Sequence, residues 1–227
     1  MKKINFIYRT MLFIGIFLFT LPLFSQTKKI IIVPLEDTTI VHCHIGTTAF
    51  SNFTESLEID IPISEFIEEK LKQYLKSSFE TEIINAPEEI RKNAFGFWGQ
   101  SKEFKNWIAE TQKGYDILII INNIDISNEL NNAPIPKNTS GFYSRGRLHG
   151  VYTTISFDAF RISDNKRLEY YNMGSKVFVQ LKDFEMPKDK RTFDQEMIET
   201  IKTELLNQLD NRIKYFLTKT YLLPNIE

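Results

Sequence analysis

The stretch Tyr115-Asp116-Ile117-Leu118-Ile119-Ile120-Ile121-Asn122-Asn123 decides the fold class. Five consecutive aliphatic residues, four of them isoleucine, leave no polar side for water, so the segment predicts a strand buried on both faces at the centre of a sheet. A second such run, Ile30-Ile31-Ile32-Val33 closed by Pro34, predicts a first core strand.

The segment between them supplies helices. Ile63, Phe66, Ile67, Leu71, Tyr74 and Leu75 fall at helical spacing behind Ser64, a candidate cap. Phe79 to Ile84 alternates like a strand, Pro87 opens a short helical turn, and Ser101 starts a helix carrying Phe104, Trp107 and Ile108. Downstream, Val151 to Ile162 and Arg167 to Leu181 are two long β segments joined by Ser163-Asp164-Asn165-Lys166, a turn composition that predicts an antiparallel hairpin, with a kink at Gly174-Ser175 in its second arm. Thr192 and Gln195 have capping-box spacing before a long apolar stripe from Met197 to Phe216, a last helix that Leu223-Pro224 ends.

The expected fold is therefore α+β, a single domain over residues 27–227 with a mixed β-sheet in the order β-α-β-α-β-β-β-α and helices packed on it. Two stretches read as long loops, at about 36–60 and 127–150. The first is rich in Thr, Ser and Asn with one alternating piece, Thr39 to Ile45, that fits an edge strand; the second carries Pro134, Pro136, Gly141, Gly146 and Gly150.

Residues 1–26 have the layout of a secretory signal peptide: Lys2, Lys3 and Arg9, then an apolar run from Met11 to Phe24 broken only by Gly15, Thr20 and Pro22, then Ser25-Gln26. The run is shorter than the roughly 20 apolar residues of a membrane span. An exported domain in a periplasm or outside the cell follows. The only cysteine is Cys43, far from the end of the apolar run, so neither a lipid anchor nor an internal disulfide is expected. The chain carries a net charge of −1, and without the three basic residues of the leader it falls to −4. Such a balance does not attract phosphate backbones, and no nucleic-acid partner is expected.

The element order resembles that of small exported envelope domains, the amino-terminal domain of TolB and the CsgG-like domain of curli secretion. The likeness is carried by the strand Ile30 to Leu35, the helix Phe66 to Leu75, the strand Tyr115-Asp116-Ile117-Leu118-Ile119-Ile120 and the hairpin Phe157 to Leu168 with its Asp164-Asn165-Lys166 turn. The resemblance implies an assembly or binding part of the cell envelope rather than an enzyme. Lipid-anchored members of that group have an acylated cysteine that this chain lacks.

Candidate chemistry is sparse. His42 and His44 flank Cys43; on a strand the two imidazoles share one face and the thiol takes the other. Two histidines can begin a metal site, but a stable zinc site wants three or four ligands, so water-exposed histidines on an edge strand and an inert buried thiol are the plainer expectations. A hydrolase or metal enzyme using His42, His44 and His149 is the alternative function. Gly141-Phe142-Tyr143-Ser144-Arg145-Gly146-Arg147-Leu148-His149-Gly150 ends the second loop, and Phe142, Tyr143, Arg145, Arg147 and His149 are the candidate binding residues. Tyr143, Arg145, Arg147 and His149 alternate, so an extended chain would present them on one face, the chemistry of anchors for a protein partner and of carboxylate or phosphate recognition. Phe95, Phe97 and Trp98 form an aromatic patch, and burial is its expected state at that density. Asn52-Phe53-Thr54 and Asn138-Thr139-Ser140 match the glycan acceptor pattern. The sequence has no G-x-x-x-x-G-K, G-x-G-x-x-G, G-x-S-x-G or H-E-x-x-H, and no cofactor is implied.

Overall fold

A computed structural model describes residues 27–35, 38–96, 99–130, 132–169 and 176–223. The expected leader at 1–26, the expected kink at Gly174-Ser175, the Leu223-Pro224 terminus and the Phe97-Trp98 pair lie wholly or partly outside the described residues. Among the described residues no helix is long and apolar enough to cross a membrane.

The fold is α+β, a single domain in which, among the described residues, four helices pack on two mixed five-stranded sheets rather than one. The first sheet runs β4 (Phe79–Ile83), β1 (Lys28–Pro34), β7 (Ile117–Asn123), β10 (Ile155–Arg161) and β11 (Lys166–Glu169) across. Its β4, β1 and β7 are parallel, and β10 and β11 add antiparallel. The aliphatic run at 117–121 does occupy the centre. Strand alternation sends Ile30, Ile32, Ile117 and Ile119 to a face covered by α1 (Ile63–Leu75) and α4 (Gln195–Lys219). The opposite face, with Ile31, Val33, Leu118 and Ile120, meets Phe104 and Ile108 of α3 (Lys102–Thr111). A short α2 (Glu88–Lys92) and a minimal hairpin, β5 (Phe95–Gly96) and β6 (Gly99–Gln100), complete the stretch before α3.

The second sheet runs β12 (Phe178–Gln180), β9 (Leu148–Thr153), β8 (Thr139–Arg145), β2 (Thr39–Ile45) and β3 (Phe53–Ser56). Both stretches expected to be long loops thus carry strands: β2 and β3 lie in 36–60, and β8 and the first half of β9 lie in 127–150. Nor is β2 an edge, because β8 pairs with it in parallel and β3 pairs antiparallel on its other side. The remaining part of the second loop, with a 3-10 turn at Ser127–Leu130, covers one face of this sheet through Ile126, Leu130, Ala133 and Ile135. The other face meets α4, where Phe142 and Val151 join the main core.

The chain passes directly from the second sheet to the first between β9 and β10. Only Thr154 separates β9 from β10. Its hydroxyl sits 2.6 Å from Asn123 Oδ1 and 2.8 Å from the Thr139 carbonyl, and Ile124 N donates to its carbonyl at 2.8 Å. The backbone groups released where one ladder stops are therefore taken up at the junction, as burial requires.

Helix starts differ in detail from the sequence reading. Ser101 caps α3 as expected, accepting from Phe104 N at 3.1 Å. In α1 the cap position falls to Pro62, not Ser64, with no side-chain bond. In α4 the cap is Asp194, whose Oδ1 accepts from Met197 N at 2.9 Å, so Thr192 lies outside the helix.

Candidate functional site

Alternation on β2 puts His42 and His44 on the α4 side of the second sheet and Cys43 on the other, as the sequence predicts. Their surroundings are not an exposed edge: His42 is 2% and His44 4% exposed. The parallel register pairs His42 with Phe142 and His44 with Ser144. The Ser144 hydroxyl, itself 2% exposed, lies 2.8 Å from His42 Nε2 and 2.8 Å from His44 Nδ1. A hydroxyl has one proton, so it donates to one ring and accepts the N–H of the other. Both imidazoles are satisfied in their neutral forms.

His149 enters from the next strand, since the β8–β9 register sets it opposite Ser144. All three histidines of the chain thus meet on one face around Ser144 and Phe142. His149 itself has no hydrogen-bond partner at either ring nitrogen, and both are shielded from water. Its ring lies 6.5 Å from that of Phe142 and 5.9 Å from that of Phe184.

Residues 181–194, between β12 and α4, lie over this cluster. Phe184 packs 5.1 Å from Phe142, and Phe193 packs 5.1 Å from His42. Phe53 on β3 closes the side, 5.1 Å from His42 and 4.9 Å from His44. Arg191 stacks 4.6 Å above the Phe53 ring and pairs with Glu55. Burial, then the neighbouring His44 and Lys190, lowers the His42 pKa to about 4 despite a hydrogen bond to the Lys190 backbone. Burial and Lys190 lower that of His44. Burial raises that of the Cys43 thiol, against a weak contact with the Thr54 hydroxyl. The thiol is in the state expected of an inert core cysteine.

Among the described residues no group of three or more His, Cys, Asp or Glu side chains is placed to hold a metal. His42 Nε2 and His44 Nδ1 are both turned onto the Ser144 hydroxyl.

Of the five candidate binding residues, only Arg145 and Arg147 are exposed. Phe142 is in the main core, Tyr143 packs on the opposite face 5.9 Å from Phe178, and the His149 nitrogens are sealed. The alternation fails because the segment is a hairpin with a two-residue turn, Gly146-Arg147. At the same end of the sheet, β2 leads into residues 46–52, where Phe50 is fully exposed. That loop is knitted by Ser51 Oγ to the Thr48 carbonyl at 2.8 Å and by Gly46 N to Asn52 Oδ1 at 2.9 Å. A groove of about 630 Å³ runs between residues 179–185 and the first turns of α4, with Leu181, Phe184 and Met197 among its apolar lining and Asp183, Glu185 and Glu196 among its acids.

In comparisons with known proteins, the chain matches no family model and no curated sequence. The site rests on its own geometry. Sequence reasoning missed Ser144, Phe53, Phe184 and Phe193, which no motif marks and which only strand register and the covering segment bring together.

Proposed function

We propose that the chain is an exported, non-catalytic binding or assembly protein of the bacterial cell envelope, which docks a protein partner through the end of the second sheet. The observation that carries the reading is the placement of Arg145, Arg147 and Phe50, all exposed at the same end of the neighbouring strands β2 and β8, while the histidines are buried. Arginine and an aromatic ring are the side chains that most often anchor protein interfaces. Export rests on the leader at 1–26, and the envelope assignment on the resemblance in element order. A photo-crosslinking residue at position 147, expressed in intact cells, tests the docking end: a discrete adduct supports it, and labelling no different from a residue on the exposed side of α1, such as Lys72, removes it.

A second reading, a hydrolase, is favoured by one observation: Ser144 Oγ within hydrogen-bond reach of two imidazoles, the geometry of an activated nucleophile. A serine-directed fluorophosphonate probe separates the two. The binding reading expects no labelling of Ser144 in the folded protein; labelling abolished by Ser144→Ala establishes the hydrolase.

A further inference from the structure

The covering segment 182–193 is held differently from the rest of the domain. No residue in it is fully buried, and its backbone hydrogen bonds fall within the segment, as from Thr192 N to the Asp189 carbonyl at 3.2 Å. The last backbone-to-backbone bond tying it to the sheet is from Leu181 N to the His149 carbonyl at 3.0 Å. Beyond that it is kept in place by Phe184, Met186 and Phe193 packing on the core, by the Arg191 contact with Glu55 and Phe53, and by the His42 link to the Lys190 backbone. Segments with few buried contacts and no ladder open at lower free energy than the whole domain.

What lies beneath it is sensitive to protons. His42 and His44 share the Ser144 hydroxyl at 2.8 Å each, so the two rings are held close together in a buried place where a charge on one is felt by the other. The charged and titratable groups facing them are His44 and His42 themselves on β2, Glu55 on β3, His149 on β9, and Lys190 and Arg191 from the cover; β8 contributes only Ser144 and Phe142. Glu55 is the one acid among these, and Arg191 already holds it. A proton added to either ring meets a neighbouring histidine and a lysine, with no carboxylate left over to receive it.

We propose that residues 182–193 form an acid-released cover: protonation of the His42–Ser144–His44 cluster lifts the segment from the second sheet and opens the groove it shares with the start of α4. The same segment supplies Phe184 to both the cluster and the groove, so one movement changes both. With the cover lifted, His42 regains water and its ordinary pKa near 6.5, against about 4 when closed. The closed form is at full strength above the open-state value, weakens as pH falls from 6.5 towards 4, and levels off below that. From His42 alone, closure at pH 5 is weakened about 30-fold relative to pH 7.5.

Hydrogen–deuterium exchange on the folded chain at pH 7.5 and pH 5, corrected for intrinsic rates, reads this directly. The expected result is a gain of tenfold or more in exchange at 182–193 at pH 5, with the amides of β7 and α4 unchanged. Equal protection at the two pH values, or opening of the segment only together with β7 and α4, overturns the proposal. The double variant His42→Asn, His44→Asn must lose the pH response, and its persistence also overturns it. Should that variant not fold, Phe184→Ala keeps the histidines and loosens the cover, and must move the opening to higher pH; an unmoved transition counts against the cover.

Discussion

Replacing Gly150 by Ala distinguishes a loop at 141–150 from the hairpin described above. In an open loop the change would be close to neutral. In the hairpin a Cβ at position 150 falls 2.0 Å from the Val179 carbonyl oxygen and 2.8 Å from the Val179 carbonyl carbon, both backbone atoms of β12. No rotamer relieves a clash with backbone, so β12 has to move. β12 is a three-residue edge strand that pairs with β9 only, from Phe178 opposite Tyr152 to Gln180 opposite Gly150. Displacing it weakens that ladder and the flanking bonds from Thr153 N to the Val177 carbonyl and from Leu181 N to the His149 carbonyl, each 3.0 Å. At about 1 kcal/mol net for each of roughly three bonds lost, Gly150→Ala costs about 3 kcal/mol. Gly146 is the control. Its φ of +58° is left-handed, but nothing lies within 4 Å of an added Cβ, so Gly146→Ala costs only the backbone penalty of about 1 kcal/mol. For a domain of this size that translates into a fall in Tm of about 6–12 °C for Gly150→Ala and 2–4 °C for Gly146→Ala. Thermal unfolding followed by circular dichroism measures both. Two variants with equal Tm, or Gly150→Ala within 2 °C of the parent, would refute the close approach of β12 to β9.

Three further outcomes are expected. Ser144→Ala removes the only hydroxyl shared by His42 and His44 and leaves buried ring nitrogens without a partner, a loss of about 2–3 kcal/mol in urea unfolding; a change under 0.5 kcal/mol would show that the rings find other partners. Asp194→Ala removes the α4 cap and costs about 1 kcal/mol by the same assay, whereas Thr192→Ala stays within about 0.5 kcal/mol; the reverse order would restore Thr192 as the cap. Cys43 reacts with iodoacetamide far more slowly than free cysteine in the folded protein and at the ordinary rate in denaturant, because burial both hides the thiol and raises its pKa; fast native labelling contradicts this.

Much of the fold was legible because burial on two faces leaves a simple mark. Ile30–Val33 and Ile117–Ile121 are aliphatic without interruption, and the structure places them side by side as β1 and β7. The division into two sheets was not legible. Val151 to Ile162 reads as one extended run, and nothing in its alternation marks Thr154 as the point where the chain leaves one sheet for the other. The reason lies with Asn123 and Thr139, whose oxygen atoms receive the Thr154 hydroxyl from positions 31 and 15 residues away. Likewise the glycines near residue 150 have the composition of a loop, whereas Gly150 serves a close approach between strands. The composition of a flexible loop and of a tightly packed glycine-bearing strand is the same until a neighbour is placed beside it.

The site was legible in part, and the turn at Gly146-Arg147 explains which part. A two-residue hairpin pairs Arg145 with Leu148 and Ser144 with His149, so an odd-numbered residue on β8 shares its face with an even-numbered one on β9. Counting alternate positions straight through the turn therefore assigns His149 to the face of Tyr143 and Arg145, when it belongs to that of Phe142 and Ser144. On β2, with no turn to cross, the same count placed His42, Cys43 and His44 correctly. Their burial was misread because histidine counts as polar. A neutral imidazole is a compact aromatic ring whose burial costs little once its nitrogens are bonded. The sequence does hold the partner, in Ser144, but the bonds span 102 and 100 residues and depend on a parallel register between β2 and β8. A buried histidine pair thus predicts that a small hydroxyl lies opposite it, without indicating where in the chain that hydroxyl is found. The absence of a carboxylate in that position, where ordinary histidine sites hold an acid, makes this cluster favour the neutral state and leaves acid as the condition that disturbs it.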